Sequence, residues 1–519
     1  MEERCRPFTR RNFLAATGVA LLAAGCGSSF AAPAPSGPPR SGGTLRVGVT
    51  GGGASDTLDP HIPATNPDIA RVINLYEPLL VRDHDYKLEM LVAQSLTSSP
   101  DARTWTAVLR DGVRFHDGRA VTPADVVATF KRILDPKDPK SGAAGLSMVA
   151  DVVPKGDRAV EFRLSTPNSG FDDLLGQYSL GIVPADFDVK RPIGTGPFKA
   201  GSFTPGQQST FTRNEHYWRP GQPYLDELVL INFADDDARI NALLSSQVDA
   251  IDQVPVALVD VLRSDPRIRV LAADTGTWLP LTMRVDRPPF DDVRVRQALR
   301  LVVDREQMIN QVLSGQGRLG NDMYAPFDPA YASELPQRKQ DIEAARKLLQ
   351  EAGHSTLDIE LVTAPIQAGA VEAAQVFQQQ AKAAGVNVTI RKLDTTTFYG
   401  ENYLKWDFAQ DFWYTRNYLP QVAVGSLPKS PYNETHWQDP EFIDLVTQAG
   451  STVDPKARAE LVKKAQKIEY ERGGLIVWGF VNQVDAYHVH VAGLVPDRTG
   501  ISLSGYQFRN AWLGTGKEA

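Results

Sequence analysis

Cysteine is nearly missing from this chain: its 519 residues hold two, Cys5 and Cys26. Both lie at the start, so the long remainder can form no disulfide within itself and must be held by burial of apolar surface. It also offers no nucleophilic thiol, and neither a Gly-x-Ser-x-Gly elbow nor a phosphate loop occurs, so the parts of an enzyme are not there and no cofactor is expected. Basic charge is short as well. Lys and Arg number 55 against 62 Asp and Glu, for a net charge of -7, and residues 1–25 hold four arginines against two glutamates, leaving the rest more acidic still. A nucleic-acid partner, which needs a basic face, is therefore not expected. Long apolar runs are the third absence. Phe13 to Ala24 would rise only about 18 Å as a helix, too little to cross a bilayer, and no later stretch approaches eighteen apolar residues.

What is present begins with an address. Thr9-Arg10-Arg11-Asn12-Phe13-Leu14 resembles a twin-arginine export signal, and the short apolar run after it reads as the core of a signal peptide spanning residues 1–25. Ala23-Ala24-Gly25-Cys26 resembles a bacterial lipobox, with Ala23 standing where leucine is usual. Cys26 is then the lipid attachment site, and two or three acyl chains would anchor the protein stably outside the cytoplasm, in the periplasm or on the outer face of the cell membrane. Residues 26–43, rich in Ala, Pro, Ser and Gly, bury little and read as a disordered tether.

The remaining length exceeds what one hydrophobic core supports, so two or three domains are expected. Its rhythm is α/β. Leu45 to Val49 alternates as a strand before Gly51-Gly52-Gly53, and Thr104 to Leu109 is another, turning at Asp111-Gly112. Thr122 and Pro123 open a helix whose face is Val126, Val127, Phe130 and Ile133, ended by Asp135-Pro136. Glu343 to Ala352 reads as a helix closed by Gly353. Leu357 to Val362, Val371 to Ala384 and Val386 to Ile390 read as strand, helix, strand, which implies parallel strands and a right-handed crossover. Asp454-Pro455 opens a helix stopped at Gly473-Gly474. Asp304 with Gln307 predicts a reciprocal cap, Asp235-Asp236-Asp237 beside Arg239 a capped and solvated helix start, and Gly194-Thr195-Gly196-Pro197 a tight turn.

Several blocks then occur in a telling order. Gly43-Thr44-Leu45-Arg46-Val47, Leu58-Asp59-Pro60-His61 and Tyr76-Glu77-Pro78-Leu79 come first. Leu109-Arg110-Asp111-Gly112-Val113-Arg114-Phe115-His116-Asp117-Gly118 leads into Thr122-Pro123-Ala124-Asp125-Val126-Val127. Gly194-Thr195-Gly196-Pro197-Phe198, Arg213-Asn214-Glu215-His216-Tyr217-Trp218 and Pro289-Phe290-Asp291-Asp292-Val293-Arg294-Val295-Arg296-Gln297-Ala298-Leu299 follow. From about residue 43 to 510 the chain resembles the bacterial extracellular solute-binding protein family 5, whose members include dipeptide, oligopeptide and nickel binders. The resemblance implies a two-lobed periplasmic-binding-protein fold, type II, in its large three-domain variant, with mixed sheets and a hinge. Lobe I would take residues 44–60, 190–276 and 475–515, with an inserted domain at 61–189; lobe II would be 277–474. Ligand would bind between lobes that close by a hinge, and the loaded protein, a monomer, would deliver it to the permease and ATPase subunits of an ABC importer. An oligopeptide or peptide-like compound is the expected solute.

By that resemblance, ligand contacts fall in a lobe II stretch that carries a tryptophan, here Trp406-Asp407-Phe408-Ala409-Gln410-Asp411-Phe412-Trp413-Tyr414-Thr415-Arg416-Asn417-Tyr418. Trp413 and Tyr414 would form a wall stacking on the ligand, and Arg416 would present a planar fork to a carboxylate, flanked by Thr415 and Asn417. Trp278, after Thr275-Gly276-Thr277 at the crossing between lobes, is a second wall. Peptide binders of the family carry an aspartate after this tryptophan, and the register places Leu419 there, so either Asp411 or another acid replaces it or the solute has no free α-amine. A nickel or metal-chelate carrier is the alternative reading. His488 and His490 share a strand face and His116, His216 and His436 are scattered, without the tight cluster a metal site needs.

Overall fold

The computed structural model describes residues 37–514. The twin-arginine motif, both cysteines and the tether up to residue 36 lie outside the described residues. The first strand, Thr44–Thr50, sits in the middle of the largest sheet because Leu45, Val47 and Val49 are all buried on one side of it. It runs parallel to Glu227–Phe233 and to the short Ala250–Ile251. The sheet continues antiparallel through Gln208–Arg213 and Phe198–Thr204 on one side and Gly479–His488 and Ile268–Trp278 on the other; Gly317–Leu319 adds to Gly479–His488. Helix Asn66–Leu75 closes one face. It starts at a capping box of Thr65 and Asp68, and buries Arg71 completely against Asp56 and Asp68 at 3.0 and 2.9 Å.

Between Thr50 and Phe198 the chain leaves this sheet and builds a four-stranded antiparallel one, ordered Ala93–Ser98, Thr104–Leu109, Ala159–Leu164, Val149–Lys155. Helix Pro123–Ile133 lies on it, with Trp105, Phe130 and Phe162 in the shared core. Thr122 and Asp125 form its capping box, and the helix ends three residues before Pro136. The chain returns through Gly194 and Gly196. Neither has a positive φ; the need for glycine there is close approach, since a Cβ would fall 2.1 Å from the Leu75 carbonyl oxygen and 2.5 Å from that of Asn74. The expected tight turn is thus a tight packing contact.

Past Trp278 the chain crosses into a five-stranded mixed sheet ordered Val386–Lys392, Leu357–Thr363, Phe408–Gln410, Leu281–Met283, Leu475–Ile476. Leu357–Thr363 and Val386–Lys392 are parallel and are joined by helix Ala370–Lys382, the strand–helix–strand unit read from the sequence. Leu361, Phe377, Phe408 and Trp478 share its core. Helices Ile342–Glu351 and Pro455–Arg472 begin at Asp341 and Asp454, whose side chains accept from the third residue on. One local expectation needs correcting. Asp304 does accept from the Gln307 N–H at 2.9 Å, but the Gln307 side chain accepts from Gln380 instead of reaching back. The helix start at Asp235-Asp236-Asp237 is exposed and capped as read, Asp235 accepting from Ala238 N at 2.8 Å, while Arg239 beside it is wholly buried, paired with Asp236 at 2.8 Å and 3.6 Å from Asp252.

The four-stranded-sheet region touches the C-terminal helices directly. Ser169 donates its N–H to Gly450 O and accepts from Arg458 Nη1, both at 2.8 Å. Tyr86 Oη donates to Thr415 O at 3.1 Å, and Arg498 N donates to His84 O at 3.0 Å.

Candidate functional site

Two strands aim their ends at one another. Ile268–Trp278 carries a register shift between Asp274 and Thr277, where Thr275 Oγ1 donates to Val481 O and takes the Thr277 N–H. Such a bulge turns the strand end, and here it brings Trp278 to Trp413, each backbone N–H donating to the other's carbonyl at 3.0 Å.

The side chains then stack. Trp413 and Trp278 lie 6.2 Å apart between ring centroids, Trp278 and Tyr324 5.2 Å, Tyr324 and Tyr418 5.2 Å, with planes within 20°. Tyr432 meets Trp413 edge-on at 6.0 Å. Pairs like these contribute about 0.5–1.5 kcal/mol each beyond their burial. The column rests on a buried acid: Tyr324 Oη and Tyr418 Oη donate to the two oxygens of Glu469 at 2.7 and 2.6 Å. Burial outweighs those hydrogen bonds and pushes the Glu469 carboxyl up to about 7.

At the other end, the Arg416 guanidinium lies over the Trp413 ring, 5.5 Å from its centroid. Its Nη1 donates to Gln421 Oε1 at 3.3 Å. Burial lowers its pKa, and the groups pushing back are the hydroxyls of Tyr86, Tyr178, Tyr432 and Tyr414. Among the described residues no carboxylate pairs with it. Tyr86 and Tyr178 come from the four-stranded-sheet region, Tyr414 and Tyr432 from beyond the five-stranded sheet, so the arginine faces a tyrosine-lined seam between the two halves of the molecule. Asn417 precedes helix Tyr418–Gly425 without capping it, and its Oδ1 is buried with no hydrogen-bond partner. A charged fork and phenolic hydroxyls suit a small polar anion, and the unused amide oxygen of Asn417 suits a donor group beside it.

The residues singled out from sequence take different places. Trp278, Trp413 and Arg416 come together; Trp278, 2% exposed, has its faces covered by Trp413 and Tyr324 and supports the site from below. Tyr414 is 55% exposed, its ring edge-on to Phe412. Thr415 turns inward: its Oγ1 accepts from Gly276 N at 2.8 Å and donates to Arg498 O at 2.9 Å, a rivet between chain segments. Leu419 packs with the aromatic column's apolar cluster. Asp411 is buried and accepts from Tyr399 Oη and Tyr403 Oη at 3.1 and 2.7 Å. Tyr86, Tyr178, Tyr324, Tyr432 and Glu469 carried no signal in the sequence.

Four of the five histidines singled out from sequence have ring partners within the protein. His488 Nε2 meets Leu243 O at 2.8 Å, His490 Nε2 meets Asp249 Oδ1 at 3.1 Å, His116 Nε2 meets Gly196 O at 3.1 Å and His436 Nε2 meets Leu404 O at 2.9 Å. Among the described residues no group of three or more His, Cys, Asp or Glu is placed to hold a metal ion, and no helix there is long and apolar enough to cross a membrane.

Residues 87–433 match the family described as bacterial extracellular solute-binding proteins, family 5, middle. The chain is 25% identical over 482 residues to the glutathione-binding protein GsiB of Escherichia coli (strain K12), covering 88% of this chain and 93% of that protein. The structure of the binding protein AgaA from A. tumefacien R10, in complex with agropinic acid, superposes with a TM-score of 0.74 at 26% identity, over 92% of this chain and 100% of the other. HbpA2 from Haemophilus parasuis superposes with a TM-score of 0.80 at 21% identity, over 91% and 100%.

Proposed function

The chain belongs to the bacterial extracellular solute-binding proteins of family 5 and is a solute-binding protein of an ABC importer, and from that premise we propose that its cargo is a small peptide or peptide-like compound bearing a carboxylate, held at Arg416. The observation that carries this is the buried guanidinium on Trp413 with no acidic partner among the described residues. A buried charge left alone is costly, and a bidentate carboxylate is the ligand an arginine fork fits best. Tyr414 and Trp413 flank the bound group, Asn417 Oδ1 accepts from an N–H of the solute beside it, and Trp278 backs the wall. The relatives lend support: glutathione and agropinic acid, which GsiB and AgaA bind, both carry carboxyl groups.

In this reading residues 44–60, 190–276 and 475–515 form one lobe with 61–189 inserted in it, and 277–474 form the other. The Tyr86–Thr415 and Ser169–Gly450 hydrogen bonds then belong to the closed clamp. Solute favours closure only by binding the closed form better; moving a 1:99 equilibrium to 99:1 takes about 5.5 kcal/mol of difference. The chain works outside the cytoplasm. A twin-arginine signal exports it, a lipid on Cys26 holds it to the membrane, and as a monomer it docks on the permease of its importer. No chemistry is performed on the cargo. Calorimetric titration of short peptides against the same peptides with the C-terminal carboxylate amidated tests the reading. Acids should bind at least a hundredfold more tightly; equal affinities would refute it.

A further inference from the structure

Beyond the seam at Arg416 lies a second polar constellation, on the far side of Trp413. Asp411 and Glu434 are both buried, at 4% and 8% exposure, and Glu434 lies against Asp411 and the Trp413 side chain. Asp411 has its two tyrosine donors, but Glu434 Oε1 is buried without a hydrogen-bond partner. So are both the Oε1 and Nε2 of Gln410, a side chain only 2% exposed. All three line one chamber of 10 Å³, whose other walls are Thr282, Leu404, Ala409 and the rings of Phe398, Tyr403 and Trp406. Among the described residues neither carboxylate forms an ion pair with Lys, Arg or His.

Acceptors outnumber donors in that chamber, where the Gln410 Nε2 is the unpartnered donor. Two adjacent carboxylates and an amide oxygen supply acceptors and negative charge, the aromatic rings supply π faces, and the space admits a single body about the size of a water molecule. Burial, and then the Asp411 charge, drive the Glu434 carboxyl well above the usual carboxylate range, the mark of two acids crowded together out of water. We propose that Gln410, Asp411 and Glu434 form a binding site for one small monovalent cationic group, an ammonium or an ion of similar size, which fills the chamber and braces the wall at Trp413. The group comes either as a free ion or as the amine of the bound solute; the site's acceptors are the same for both. This inference does not depend on Arg416 holding a carboxylate.

Melting of the mature protein without added solute tests it, in choline chloride against equal concentrations of ammonium, potassium and methylammonium chlorides at pH 8. Ammonium or potassium at 0.2 M should raise the melting temperature by about 1 °C or more over choline. The shift should vanish in Glu434→Gln and in Gln410→Met, the second variant guarding against a poorly folded first one. A methylammonium effect as large as that of ammonium assigns the site to a solute amine, and an effect confined to ammonium and potassium assigns it to a free ion. Identical melting in all four salts, or a shift that survives both substitutions, overturns the proposal.

Discussion

Replacing Arg416 by methionine separates a ligand-binding arginine from a structural one, because the first role is read in affinity and the second in stability. In the solute-free protein the guanidinium is mostly buried, makes one 3.3 Å hydrogen bond to Gln421 and lies over Trp413. Losing those contacts costs about 1 kcal/mol for the hydrogen bond and about 0.5–2 kcal/mol for the cation–π contact. Against that stands relief of burying a charge that no described carboxylate neutralises, the burden that lowers its pKa. The two nearly cancel, so the melting temperature of the empty variant should stay within about 2 °C of wild type. Binding is different. A solute carboxylate deprived of its buried partner loses about 3–5 kcal/mol, which at 1.4 kcal/mol per decade is roughly a hundred- to several-thousandfold in Kd. Differential scanning fluorimetry of the empty protein and calorimetry of the loaded one read the two quantities separately. A Kd within threefold of wild type, or a melting temperature lowered by more than about 5 °C, would refute the reasoning.

Four further outcomes are expected. The Glu469 carboxyl is raised from its ordinary value to about 7, so the folded state holds a proton that the unfolded state releases, and stability should fall as pH rises from about 4.5 to 7, by on the order of 3 kcal/mol from this group. Asp485 and Asp497, raised to about 7 and about 6, act in the same direction, so denaturant unfolding at pH 5 and pH 8 should show Glu469→Gln reducing that slope without abolishing it; an unchanged slope would contradict the assignment. Tyr86→Phe removes the hydroxyl bridge to Thr415 O and should weaken binding about fivefold through a less favoured closed form, seen by calorimetry with the fold intact. Trp413→Ala should weaken binding and also lower the melting temperature, because the indole is 8% exposed and stacked, whereas the half-exposed Tyr414→Ala should weaken binding alone. Cys26→Ser should shift the exported protein from the detergent phase to the aqueous phase on Triton X-114 partitioning.

Much of the scaffold was legible before the structure. The parallel pair Leu357–Thr363 and Val386–Lys392 announced itself by two apolar strands around a helix with a glycine stop, and Thr122, Asp304 and Asp454 marked helix starts because capping is a local matter of a few residues. The site was legible in part. Trp413 and Arg416 stood out as aromatic and basic residues crowded in one stretch, and the structure places one over the other. Tyr86, Tyr178 and Tyr432 did not, since they reach Arg416 only through tertiary packing, the first two from segments hundreds of residues away, and isolated tyrosines leave no periodic trace. Glu434 was hidden for the same reason. Thr415 read as a contact and proved to be a rivet, because a hydroxyl's partner is set by what folds against it. Gly196 looked like a turn residue; only the three-dimensional approach of Asn74 shows why a side chain is forbidden there.

The most direct test is native mass spectrometry of the mature protein purified without refolding, with identification of the compound it carries and calorimetric rebinding to wild type and Arg416→Met. The account predicts one carboxylate-bearing peptide or peptide-like compound per chain, rebinding to wild type and failing with the variant. A compound without an anionic group, or one that rebinds equally to both proteins, would contradict it.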